Sequence, residues 1–226
     1  MADDTDPPPL LAALMALTVV SGLVDAISYL GLGHVFTANM TGNVVVLGFA
    51  AAGAAGFSVA ATLTSLLVFL AGAALTGRLA RQVTGRRRLL LATMAAEAVL
   101  VGTAALIAFV AGTTGPGWPR YTIIAILALA MGMRNAAVRQ LGVRDMSTTV
   151  LTSTLTGLAS EAALAGGLSP RSGRRAGAVI AMLAGAAIGA LMFLRVDAAL
   201  PLLAASALTA ATTAAYAFGA RSAAPA

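Results

Sequence analysis

The chain has 226 residues, 59% of them apolar and 10% charged, and its formal net charge of +6 comes from 14 Arg and no Lys set against 8 acidic residues. A mean hydropathy of +0.93 excludes an ordinary water-soluble domain and indicates an integral membrane protein. The absence of Cys excludes disulfides, thiolate metal sites and Cys nucleophiles, and a lone His excludes a His-rich metal centre, so no metal or cofactor is expected.

Residues 1–9, MADDTDPPP, are acidic and Pro-rich and lack the basic start and small-residue cleavage site of a secretory signal, so they are read as a disordered tail. Residues 10–219 are read as a single membrane domain, and 220–226 as a short C-terminal tail with no soluble domain attached. A membrane helix needs roughly 20 apolar residues. Segment 10–31 meets that test and carries Asp25 about two turns before its end. Segment 35–56 is uncharged but opens on the polar run FTANMTGN, which makes it ambiguous. Segments 57–77 and 89–112 are clear spans, the second holding Glu97. Trp118 and Tyr121 flank a Gly/Pro loop as interfacial anchors, and span 121–141 follows with Arg134 and Asn135 inside it. Segment 146–166 is again ambiguous, with MSTTVLTSTLTG followed by Glu161. Spans 176–194 and 198–219 complete the series.

The two ambiguous segments belong to a repeated sentence. Residues 22–43, GLVDAISYLGLGHVFTANMTGN, align with 132–154, GMRNAAVRQLGVRDMSTTVLTST. Gly22 falls on Gly132 and Asp25 on Asn135; after one insertion His34 falls on Asp145, Thr37 on Thr148, Thr41 on Thr152 and Asn43 on Thr154. Repeat 1 spans about 10–112 and repeat 2 about 121–219. Such duplication in a membrane protein commonly builds a site where the halves meet.

The Arg distribution decides between six and eight spans, because cytoplasmic loops collect positive charge. With six spans and the N-terminus inside, eleven Arg (78, 81, 86, 87, 88, 139, 144, 171, 174, 175 and 221) fall on the cytoplasmic side and only Arg120 and Arg195 outside. With eight, five Arg remain outside against eight inside. The expected fold is therefore all-α, with two inverted repeats of three spanning helices plus one broken or re-entrant polar helix each. The alternative is eight full spans in two four-helix repeats, because the uncharged stretch from Val35 to Gly77 is long enough for two complete crossings.

Charge inside a membrane is costly, roughly 2.5–3.5 kcal/mol at the helix centre, and is by default a functional candidate. Asp25 and Arg134 are natural partners, as a functional pair or as a structural lock between the halves. The expected solute-binding residues are Asp25, Asn39, Thr41, Asn43, Arg134, Asn135, Thr148 and Thr152, with Asp25 or Glu97 coupling protons. Against this stands the common habit of Ser and Thr returning hydrogen bonds to their own helix. His34 is read as a cap or a solvated side chain, and Glu161 as an interfacial residue paired with Arg171 or Arg174. Gly177, Ala181, Gly185 and Gly189 form a small-residue ridge suited to a close helix approach, within the chain or in a homo-oligomer.

The stretch VDAISYLGLGHVFTANMTGNVVVLG, followed about a hundred residues later by MGMRNAAVRQLGVRDMSTTVLTSTLTGL, resembles the YoaK family of bacterial inner-membrane proteins. The likeness runs from about Leu10 to Phe218. It rests on Asp25, Phe36, Asn39, Thr41, Gly42 and Asn43, and again on Arg134, Asn135, Thr148, Thr149 and Thr152, with Ser153 where Gly is expected. The resemblance implies a multi-pass inner-membrane protein and marks the polar segments as family features, but supplies no reaction.

The function expected from the architecture is a small-solute transporter or channel, with the lipid bilayer and an unknown small solute as partners. The competing readings are a membrane-embedded enzyme acting on lipid and a non-catalytic scaffold using the Gly177–Gly189 ridge. No paired-carboxylate or Ser/His/Asp pattern and no phosphate-binding Gly-rich loop is present, so an enzyme is not expected. The Arg residues serve topology, so nucleic acid is not an expected partner.

Overall fold

A computed structural model of the chain describes residues 8–113, 117–142, 154–156 and 170–219. They form α1 (Pro8–Gly31), α2 (Met40–Ala51), α3 (Val59–Gln82), α4 (Arg86–Ala111), α5 (Trp118–Leu141), α6 (Pro170–Arg195) and α7 (Ala199–Gly219), with no strand among the described residues. One further helical turn covers 154–156. All but α2 are long and apolar enough to cross a membrane, so the chain is an all-α multi-pass membrane protein, with six such helices among the described residues.

Local chemistry sets the helix ends. Ser58 caps α3, its hydroxyl accepting from the Ala61 amide at 3.3 Å. Pro119 lies in the first turn of α5, and Gly142 closes that helix in the left-handed conformation at φ 70°. Two basic side chains cap neighbouring helices: Arg86 donates to the Leu141 carbonyl at the end of α5 (3.5 Å), and Arg87 to the Ala217 carbonyl at the end of α7 (2.9 Å). The Arg run that reads as a topology signal therefore also holds helices together.

Two apolar clusters divide the bundle by depth. One joins Leu10, Leu14 and Leu17 of α1 to Leu90 and Met94 of α4, Val138 of α5 and Tyr216 of α7. The other joins Ile27 of α1 and Leu32 to Ala108 of α4, Ile124 of α5 and Leu202 of α7. α1 and α5 consequently run antiparallel. The first end carries Arg78, Arg81, Arg86, Arg87, Arg88 and Arg139, whereas Arg120 and Arg195 sit at the second.

Residues 32–58 leave and return to that second end, because Leu32, Val35, Ala38 and Ala61 share one cluster. At 12 residues, α2 rises only about 18 Å, well short of the ~30 Å hydrocarbon thickness. Segment 35–56 is thus a short helix packed on α3 and not a full span, which removes the eight-span alternative for the first half. Its counterpart, 146–166, lies outside the described residues apart from the turn at 154–156.

Backbone-to-backbone helix approaches occur twice with matched residues. On α1 and α6, a Cβ at Gly22 would strike the Met182 carbonyl oxygen, and one at Gly185 would strike that of Val19. On α5 and α3, a Cβ at Gly132 would strike the Phe69 carbonyl oxygen, and one at Gly72 that of Leu129. Both crossings join parallel helices, and both need glycine so that backbone can meet backbone. The ridge on α6 is spent within the chain: Gly177 faces Met15, and Gly189 faces Leu23 and Ala26.

Candidate functional site

The site is built on α1. Thr18, Ser21, Asp25 and Ser28 recur at intervals of three and four residues, so they share one helix face, and all four are buried. Three satisfy themselves locally: Thr18 donates to the Leu14 carbonyl (2.9 Å), Ser21 to Leu17 (3.2 Å) and Ser28 to Asp25 (3.2 Å). That leaves the Asp25 carboxylate and the acceptor side of the Ser21 hydroxyl for partners from other helices.

Arg134 of α5 reaches across to this face. Its Nη1 donates to Glu97 Oε1 of α4 at 2.8 Å and to the Leu17 carbonyl of α1 at 3.1 Å, while Nη2 donates to the Ser21 hydroxyl and meets Met131 Sδ at 3.0 Å. Both partners of the ion pair are 0% exposed. One guanidinium thus fastens three helices by charge-assisted bonds at membrane depth. Arg134 Nε and Glu97 Oε2 have no hydrogen-bond partner among the described residues.

The expected pairing of Arg134 with Asp25 is corrected here: the partner is Glu97. The reason is register along α1. Arg134 meets that helix at Leu17 and Ser21, and Asp25 lies a further turn on, about 6 Å along the axis, where its carboxylate is already engaged. Asp25 Oδ1 accepts the backbone amides of Ala38 at 2.9 Å and Thr37 at 3.1 Å, and the Asn39 amide also interacts with the carboxylate. Asp25 Oδ2 and the buried Thr37 hydroxyl have no partner among the described residues.

A second polar cluster pins the loop that supplies those amides. Asn43 of α2 is fully buried; its Oδ1 accepts from the Phe36 amide (2.8 Å), and its Nδ2 donates to the Phe36 carbonyl (2.6 Å) and Ser65 Oγ (3.1 Å). Ser65 of α3 donates to the same carbonyl at 2.6 Å. Gly42 is needed beside it, since a Cβ there would lie 2.7 Å from the Phe36 ring. The Thr-Gly-Asn run therefore clamps a turn of backbone, and Asn43 is occupied by protein partners.

The other expected residues are dispersed. Asn39 is exposed and caps α2, its Oδ1 accepting from the Gly42 amide at 3.3 Å, and Thr41 is exposed at the start of that helix. Asn135 is half-buried and donates to the Met131 carbonyl of its own helix at 2.9 Å. Thr148, Thr152, Ser153, Asp145 and Glu161 lie outside the described residues. His34 is exposed at φ 59°, with Nδ1 3.0 Å from the Gly56 carbonyl oxygen and its ring edge-on to Tyr29. Trp118 is exposed where α5 begins, as expected of an anchor.

Ser21, Ser65 and the Leu17 carbonyl were not anticipated from sequence. For Ser21 the signal was available in its spacing with Thr18, Asp25 and Ser28. Among the described residues no group of three or more His, Cys, Asp or Glu is placed to hold a metal ion.

Residues 13–215 match the family model described as protein of unknown function DUF1275. The UPF0700 transmembrane protein YoaK of Bacillus subtilis (strain 168) is 36% identical over 154 residues, which is 66% of this chain and 64% of that protein. The match thus spans somewhat under two thirds of that curated relative. No solved structure matches the chain. The family match over residues 13–215 and the six apolar spans among the described residues meet in one conclusion: the chain belongs to the DUF1275 family of membrane proteins of unknown function.

Proposed function

We propose that this chain is a non-enzymatic small-solute transporter or channel of the bacterial inner membrane, oriented with its Arg-rich end in the cytoplasm and built from two inverted repeats. The observation that carries the reading is the fully buried Arg134–Glu97 pair, joined to Ser21 and the Leu17 carbonyl where α4 and α1 of one half meet α5 of the other. Ionised groups at such depth are expensive and recur in membrane proteins along solute and proton pathways. The repeat reading is supported by the antiparallel course of α1 and α5. It is further supported by the paired crossings: adding 110 to Gly22 and Val19 gives Gly132 and Leu129, and subtracting 113 from Met182 and Gly185 gives Phe69 and Gly72. Inverted repeats that meet at a central polar site are a recurrent transporter design.

A second reading has its own support: because Arg134 bonds three helices at once, the pair would also serve as a structural lock. One experiment separates the two. Full-length protein in proteoliposomes is exposed to concentration jumps of small organic acids, amino acids, sugars and inorganic phosphate, with charge displacement and isotope uptake recorded. Wild type is expected to respond to at least one class. A variant with both Arg134→Met and Glu97→Met removes the charges together and is expected to fold, since a well-packed apolar pair often replaces a buried ion pair without loss. Folded protein without flux supports the transport site, whereas retained flux supports the lock. If wild type is silent to every class, the transport reading fails.

A further inference from the structure

Three ionisable side chains meet deep in this bundle: Asp25, Glu97 and Arg134 are buried to 5%, 0% and 0% exposure. With all three ionised, two negative charges face one positive charge, and a net charge of minus one remains in an apolar interior where an uncompensated ion is costly. The two carboxylates are not equivalent. Glu97 is bound to the guanidinium by a 2.8 Å charge-assisted hydrogen bond, which favours its anion. Among the described residues Asp25 has no cation bonded to it; the Thr37 and Ala38 amides bond Oδ1, and Oδ2 has no hydrogen-bond partner.

We propose that Asp25 is the proton-binding residue of this membrane domain. The proton adds to Oδ2, giving a neutral carboxylic acid whose carbonyl oxygen, Oδ1, continues to accept the Thr37 and Ala38 amides. Loss of that proton restores the carboxylate without breaking either bond. The two amides converge on one oxygen and thereby assign the C=O and O–H roles before any proton arrives. The Thr37 hydroxyl is buried and without a partner among the described residues, on the residue whose amide holds Oδ1, and it supplies the relay. Hydroxyls both accept and donate, which a relay requires.

The charged groups around Asp25 fit this assignment. From α5, Arg134 acts on it through space while bonded to Glu97 of α4. On the same side as the amide loop, His34 is exposed and Arg120 is committed to the Leu32 carbonyl at 2.8 Å. α6 and α7 bring Arg174, Arg175 and Tyr216 at the opposite, Arg-rich end; at the end of the amide loop lie Arg195 at the tip of α6 and, between the two helices, Asp197, which accepts the Ala199 amide at 2.6 Å. Asp25 lies six residues, about 9 Å of helix rise, before the end of α1 on the side where α2 lies. Proton binding at Asp25 deepens the transport reading by naming the coupling ion, and its test reads proton occupancy instead of flux, so either can fail alone.

The test is infrared difference spectroscopy of the full-length protein in lipid during a pH titration, with aspartate or glutamate labelled at the side-chain carboxyl carbon. The expected result is a pH-dependent C=O band of a buried carboxylic acid that shifts with labelled aspartate and not with labelled glutamate. It should vanish in Asp25→Asn and move to the glutamate label in Asp25→Glu. If Asp25→Asn does not fold, Asp25→Glu keeps the test decisive: the chain holds five other Asp, and only a band from position 25 changes its label dependence in that variant. Absence of any buried-acid band across the titration, or a wild-type band that follows labelled glutamate, would overturn the proposal.

Discussion

Asp25 and Glu97 are both carboxylates buried between membrane helices, yet the fold compensates them by different means. Glu97 has a full opposing charge on Arg134, whereas Asp25 has the dipoles of two backbone amides on a single oxygen. A guanidinium supplies strong and inflexible neutralisation; an amide cradle orients a carboxyl group in either protonation state. The difference teaches that a buried acid next to a buried base in sequence alignment need not be its partner.

Removing one side of the comparison gives the largest effect. Arg134→Met leaves Glu97 buried and unpaired and should cost about 3–5 kcal/mol, read as loss of the monodisperse peak in size-exclusion chromatography and a sharp fall in Tm. Adding Glu97→Met should restore most of that loss, and a double variant as unstable as the single one would show that the guanidinium matters chiefly through Ser21 and Leu17. Asn43→Ala breaks the clamp on Phe36: the Phe36 amide loses its acceptor, while the Phe36 carbonyl keeps only Ser65. A cost of about 1–3 kcal/mol is expected, together with faster amide exchange at residues 36–38. Asp25→Asn keeps an oxygen for the Thr37 and Ala38 amides, so the predicted loss is smaller, about 1 kcal/mol, and Tm should stay well above that of Arg134→Met. Thr41→Ala at an exposed position should change stability by less than about 0.5 kcal/mol and marks the edge of the polar cluster.

The spans were legible because length and hydropathy suffice to define them, and the Arg residues fixed which helix ends lie together. The brevity of α2 was legible in outline, since FTANMTGN interrupts an otherwise apolar run. What the letters did not reveal was the rotation of each helix about its axis. Glu97 has no partner within its own segment; only the packing of α4 on α5 turns it towards Arg134. Asn43 looked like a solute ligand because polar residues in membrane segments usually need a functional reason. Its true partners are the Phe36 backbone and Ser65, and a side chain that recognises backbone leaves no residue-type signature.

The glycine crossings bear on how the chain is made. α1 packs chiefly on α6 and α7, and α5 chiefly on α3 and α4, so neither half encloses its own first helix. As synthesis proceeds, α1 enters the bilayer long before Gly185 exists to receive Gly22, and its Ser21–Asp25 face must meanwhile be sheltered by lipid headgroups, water or the insertion machinery. A nascent chain halted after α4 would present an acidic, unpacked helix, which is the form that membrane quality-control proteases would meet first.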